Sequence, residues 1–293
     1  MTAFCLSTHR NGKPQRLDLG TPRVMAVLNV TPDSFSDGGR FPEARPAWEE
    51  ALRMETSGAE VIDIGGESSG PGSLGVTLQE ELDRVIPVVQ ELRARSEVWI
   101  SVDTWRAEVA RTALEAGADM VNDVTALRGD PHMGALLAQS SCPAVLMYSK
   151  DPSARTTRES PDYPDVVAQV RTFFQERLQL AAELGIRQEN LMLDPGLGFF
   201  VSGNPSFSFE LLRRLPELAT LGCSLLVGTS RKSFLAGVLP GHHLAPSERL
   251  VPSLTAALWA WLHGAQVVRV HDVDETILMR ATLQALQGKA PAF

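Results

Sequence analysis

Eight short apolar runs recur along this chain of 293 residues, and each ends in a polar or charged cluster. They span 24–30, 59–67, 98–104, 120–124, 143–149, 191–196, 225–232 and 267–272. In each, the strand-like part comes first and the reactive side chains follow at or just past its C-terminal end. A closed parallel barrel gathers such ends on one face, where catalytic groups collect. Between the runs, apolar residues recur at three- and four-residue spacing over 44–57, 78–95, 106–116, 165–184, 207–215, 246–263 and 274–287, which predicts helices. Gly58, Gly117, Gly185 and Gly264 stand where helix-stopping glycines belong. The order strand, helix, glycine, strand predicts βα units, hence an α/β fold of the (β/α)8 type in a single domain. Such a barrel needs ~250 residues. Residues 21–293 are assigned to it, and residues 1–20 to an N-terminal extension or hairpin closing the barrel bottom.

Charge narrows the partners. A formal net charge of −8 argues against non-specific nucleic-acid or membrane-surface binding. It leaves room for an anionic substrate, because a local cluster of cations can dominate a cleft. Cys5, Cys142 and Cys223 are far apart and show no metal-ligand spacing, so they are expected as reduced thiols in a cytoplasmic protein. The apolar stretch 254–270 contains His263, Gln266 and Arg269 and reads as helix plus strand rather than a membrane span.

The strand ends carry distinct chemistries. Asn29 precedes the turn-rich TPDSFSDGG and offers a neutral oxygen to Mg²⁺, which commonly binds substrate phosphates with few protein ligands. Asp37 is a second group that can approach a cation. Asp103 and Asp194, with Asn122, suit a heterocycle with an amidine-like edge, since a carboxylate matches two parallel N–H donors. The alternatives are helix capping by each aspartate, or a carboxylate pair for glycoside hydrolysis. Arg231 and Lys232 lie after the seventh strand, where barrels often hold anions; a Schiff-base role for Lys232 is open at this level. Arg269 and His271 alternate on one strand face, a clamp for phosphate. Asp272 is expected to orient a neighbour or cap the last helix, and Trp48, Trp105, Trp259 and Trp261 to pack.

The stretches LNVTPDSFSDGG, DIGGES with its following PG, SVDTWRAEVARTALEAGADMVNDV, LDPGLGF, LLVGTSRKSFL and VRVHDV resemble dihydropteroate synthases, in order and spacing from about Val24 to Val273. The resemblance implies a barrel that condenses 6-hydroxymethyl-7,8-dihydropterin pyrophosphate with p-aminobenzoate, giving 7,8-dihydropteroate and pyrophosphate. It also implies Mg²⁺ and a homodimer. Asp103, Asn122, Asp194 and Lys232 would bind the pterin. Asn29, Arg269 and His271 would hold the pyrophosphate, with Asn29 also at the metal and Asp37 near the reacting centre. Phe35, Pro71, Phe199 and Ser233 would shape the p-aminobenzoate side, and Ser69 would also touch substrate. Arg269→Ala is expected to lower turnover with little change in folding.

Three stretches depart from the family pattern. Gly70 stands where an arginine is usual, Phe200-Val201 replace Gly-Lys, and Tyr148 replaces a histidine before an atypical loop, SKDPSARTTRE. Lys150, Arg155 or Arg158 is expected to supply a replacement cation. Two other readings stay open here: a pterin-binding paralogue without synthase activity, and a pterin-dependent methyltransferase.

Overall fold

The computed structural model describes residues 4–10, 12–30 and 46–288. All eight apolar runs form strands: β3 (Arg23–Asn29), β4 (Val61–Gly65), β5 (Trp99–Asp103), β6 (Met120–Asp123), β7 (Ala144–Met147), β8 (Leu191–Asp194), β9 (Ser224–Gly228) and β10 (Val267–Val270). Each pairs in parallel with its sequence neighbour, and β10 returns to β3 to close the barrel. The expected α/β barrel is therefore present.

Strand periodicity divides the apolar residues into two sets. Met25, Val61, Trp99, Met120, Val145, Met192, Leu226 and Val267 form one cluster inside the barrel. Their neighbours, such as Val24, Ile62, Ile100 and Val121, join the larger core between strands and helices. Successive side chains on a strand point to opposite faces, so one sequence run serves both cores. The inner cluster also contains Leu6 and Leu17. These belong to an antiparallel hairpin of β1 (Cys5–Arg10) and β2 (Lys13–Asp18), which closes the bottom of the barrel. Arg10 then ties the hairpin to buried Asp119 through two Nη2 contacts at 2.7 and 2.8 Å, and Arg93 meets the same carboxylate at 2.7 Å.

The described helices are α1 (Ala47–Thr56), α2 (Leu78–Arg93), α3 (Ala107–Ala116), α4 (Met133–Ser140), α5 (Val166–Glu183), α6 (Pro205–Arg213), α7 (Leu215–Ala219), α8 (Leu250–Leu262) and α9 (Val273–Leu286). The four helix-stopping glycines all adopt positive φ. At Gly117 the fit is also steric: a Cβ there would lie 2.7 Å from Arg93 Cγ. Two helices escape sequence reading. Helix α4 has eight residues, contains Gly134, and ends at Ser141 in the left-handed region rather than at a glycine. Helix α7 is a five-residue turn that follows α6 directly. Trp259 departs from the packing expectation, since it is 43% exposed on α8. Among the described residues no helix is long and apolar enough to cross a membrane.

Candidate active site

One step above the apolar floor of the barrel, the same inward periodicity brings polar side chains. Two residues beyond Val61, Trp99, Met120, Met192 and Val267 stand Asp63, Ser101, Asn122, Asp194 and Arg269. Arg269 crosses this layer. Its Nε donates to Asp63 Oδ2 at 2.6 Å, and its Nη2 donates to Asp103 Oδ2 at 2.7 Å. Asn122 Nδ2 donates to the same Asp63 oxygen at 2.9 Å. Asp103, Asn122, Asp194, Lys232 and Arg269 line one pocket, closed by Ser69, Met147 and Phe200. Its free volume is about 30 Å³. A bicyclic ring therefore enters only as a wall yields.

Burial sets the electrostatics. It pushes Asp103 up to about 7, against the pull of Arg269 and with help from the Asp63 charge. Burial also raises Asp194, opposed by Lys232 and by the Gly196 amide, which donates to Asp194 Oδ1 at 2.9 Å. It lowers Lys232, opposed by Asp194. The Lys232 ammonium lies 4.8 Å from the centre of the Phe200 ring, within cation–π range. The pocket thus offers carboxylates to N–H donors and cations to oxygens, at the C-terminal ends of five strands.

His271 sits at the rim, just past the end of β10, the strand that carries Arg269. Its Nδ1 is 3.1 Å from Ser230 Oγ, and its backbone N–H donates to that oxygen at 3.2 Å. Burial and the neighbouring Arg269 and Arg231 push His271 down to about 4, so the imidazole is neutral at pH 7. Arg231 does not line the pocket: its Nε donates to Asp272 Oδ2 at 3.1 Å, which corrects the expectation of a paired Arg231–Lys232 anion site. Asp272 has the orienting role. Asn29 is exposed at the end of β3. Among the described residues no group of three or more His, Cys, Asp or Glu side chains could hold a metal. A hard cation at Asn29 would take most of its ligands from substrate phosphate and water, as Mg²⁺ commonly does. Phe35 and Asp37 lie outside the described residues.

The divergent stretches meet in space. The Thr156 amide donates to Ser69 O at 3.1 Å, and its hydroxyl to Phe199 O at 2.8 Å. Lys150 N donates to Phe200 O at 2.8 Å, and Tyr163 Oη to Val201 O at 2.7 Å. The atypical loop after β7 therefore straps the loop bearing Ser69 and Pro71 to the turn bearing Phe199. A Cβ on Gly198 would stand 3.0 Å from Ser233 Oγ, so Ser233 adjoins that turn. The expected replacement cations have these neighbours. Lys150 is buried, with Nζ donating to Asp151 and to the Thr156 and Thr157 hydroxyls. Arg155 Nε lies 3.4 Å from Glu67 Oε1, and Arg158 lies 6.0 Å from the Phe199 ring centre. Both belong to this strap.

Sequence reading missed Asp63 and Ser230, and singled out Phe200 only as a departure from the family pattern. Asp63 had a signal, a carboxylate in the middle of an apolar strand. Ser230 had none, because its contact with His271 joins residues 41 positions apart.

Comparison with known proteins converges on this barrel. The family model described as "Pterin binding enzyme" matches residues 25–271. The dihydropteroate synthase of Escherichia coli K12 is 44% identical over 277 residues, covering 93% of this chain and 96% of that protein. A Xanthomonas albilineans dihydropteroate synthase structure with 4-aminobenzoic acid superposes with a TM-score of 0.86 at 42% identity, covering 96% of this chain and 98% of that one. A structure of that enzyme in complex with 7,8-dihydropteroate gives a TM-score of 0.81 at 42% identity, covering 93% and 96%.

Proposed function

The chain belongs to the pterin-binding enzyme family, and within it to the dihydropteroate synthases; from that premise we propose how its own residues carry the reaction. The enzyme is a transferase of folate biosynthesis that joins a dihydropterin pyrophosphate to p-aminobenzoate and releases pyrophosphate. The observation that carries the residue assignment is the shared pocket of Asp103, Asn122, Asp194, Lys232 and Arg269. Asp194 and Asn122 take the guanidine-like edge of the pterin, Asp103 accepts a ring N–H, and Lys232 donates to a ring oxygen or nitrogen. Lys232 binds and forms no Schiff base, because the reaction needs no covalent enzyme intermediate.

In the reaction the p-aminobenzoate nitrogen attacks the pterin methylene. The C–O bond to pyrophosphate breaks, its electron pair leaves with the pyrophosphate, and the new C–N nitrogen sheds a proton. The weak aniline nucleophile puts the burden on the leaving group. Arg269 and His271 stabilise the charge growing there. Asn29 would hold Mg²⁺, which would supply further charge neutralisation on the pyrophosphate. Asp37 is proposed to stabilise the pterin cation or incoming amine, and Phe35, Ser69, Pro71, Phe199 and Ser233 to enclose the p-aminobenzoate ring.

The assembly is read as a homodimer. An open apolar groove of about 510 Å³ runs between α6 and α8, lined by Phe209, Leu212, Val251 and Trp259. A second copy of the chain is its proposed occupant. Three free thiols, two of them buried, support a cytoplasmic setting. Incubating the purified protein with both substrates and Mg²⁺ tests the assignment. Release of pyrophosphate with dihydropteroate, lost in Asp194→Asn, is the expected result; pterin binding without product would overturn it.

A further inference from the structure

Asp63 lies on β4 two residues beyond the apolar floor and is fully buried. One oxygen, Oδ2, accepts from Arg269 Nε at 2.6 Å and from Asn122 Nδ2 at 2.9 Å. The other, Oδ1, is buried without a partner among the described residues, as is the hydroxyl of Ser101, its neighbour in strand register. Burying a half-satisfied carboxylate is unfavourable, and an apolar side chain of similar volume is often as good or better for stability. Its presence here points to a task of orientation.

An asparagine amide has a donor side and an acceptor side. Next to Asp63 only the Nδ2 side is tolerated, because the flipped amide would set Oδ1 against a carboxylate. That leaves Oδ1 and one N–H of Asn122 for a ligand. On Arg269, Asp63 and Asp103 engage Nε and Nη2 together, which fixes the plane of the guanidinium. We propose that Asp63 is a positioning residue for pterin binding: through one oxygen it sets which edge of Asn122 and which plane of Arg269 meet the substrate ring.

The inference rests on the reading of Asn122 as a pterin ligand. Steady-state kinetics with each substrate varied in turn tests it. In Asp63→Asn the KM for the dihydropterin pyrophosphate should rise about tenfold, with the p-aminobenzoate KM within about twofold of wild type. An unchanged pterin KM, or both KM values moving together with the melting temperature, overturns the role. If Asp63→Asn does not fold, Asn122→Asp examines the same contact from the other side. It sets two carboxylates together, so it should bind 7,8-dihydropteroate about tenfold more weakly than Asn122→Ala. Equal or tighter binding overturns the role. A wild-type pterin KM in Asn122→Ala removes the underlying site reading. A raised KM there, with none in Asp63→Asn, removes the role of Asp63 alone.

Discussion

Arg269 is held by two carboxylates before any anion reaches it. Removing it leaves Asp63 and Asp103 facing each other in a buried layer, so Arg269→Ala should cost about 3 kcal/mol of stability as well as turnover. The sequence expectation of little change in folding does not survive that geometry. Urea unfolding checks it, and the deficit should shrink as pH falls through 7, because Asp103, already raised to about 7 beside Arg269, takes a proton more readily once that cation is gone. Asp103 also sets a pH dependence. Its pKa is raised from 3.8 to about 7. Between those values the native state holds a proton that the unfolded chain has lost, so this group's contribution to stability falls as pH rises through that window. His271 works in the opposite sense. Its folded value of about 4 lies below the ordinary 6.5, so its contribution is present above that and lost as pH falls toward 4. Ionised Asp103 is the stronger acceptor for a ring N–H, because the bond is then charge-assisted. The value of kcat/KM for the pterin substrate should therefore climb through a limb near pH 7, and Asp103→Asn should flatten that limb.

Among the elements, the loop after β7 makes the clearest departure. Gly70, Tyr148 and Phe200-Val201 look like three separate changes along the chain, yet the 150–163 loop joins them. Thr156 is its hub: the amide bonds to Ser69, and the hydroxyl to Asp151 Oδ2 and Phe199 O, both at 2.8 Å. Thr156→Val should cost about 1 kcal/mol, because the Phe199 carbonyl loses its hydroxyl donor. It should also raise the p-aminobenzoate KM more than the pterin KM, because Ser69 and Phe200 border the pterin pocket as well; equal shifts in both would refute the division of the site. The elements themselves were largely legible, since a run of β-branched and aliphatic residues ending in a glycine-flanked turn has few alternatives. Helix α4 was not, because Gly134 and a serine stop erase the local signals on which such a reading depends.

At the level of the whole molecule, the barrel bottom is locked by charge as well as by apolar packing. Asp119 is buried between Arg10 and Arg93. Asp119→Ala leaves Arg10 with Glu97 as its carboxylate partner and Arg93 with backbone carbonyls alone, and a loss of about 3 kcal/mol is expected in chemical denaturation. On one flank the described residues leave an apolar groove, the proposed seat of a second copy. Val251 is 70% exposed beside Trp259 in the apolar groove. Val251→Glu should shift the protein to monomer in sedimentation while its barrel still binds pterin; an unchanged oligomer would refute that face as the dimer seat.

The sequence alone determined the alternation of strand and helix, the closure into a barrel and the collection of polar groups at one end. Those follow from local periodicity and turn chemistry, which act over a few residues. The tertiary structure decided how the polar groups share partners. Arg269 and Asp63 are 206 positions apart, yet they meet across the barrel because alternate residues of every strand point inward. It likewise decided that Arg231 turns to Asp272, that Lys150 is buried in its own loop, and that three scattered substitutions form one strap. Contacts of that range depend on where closure brings two side chains together, which no spacing along the chain encodes.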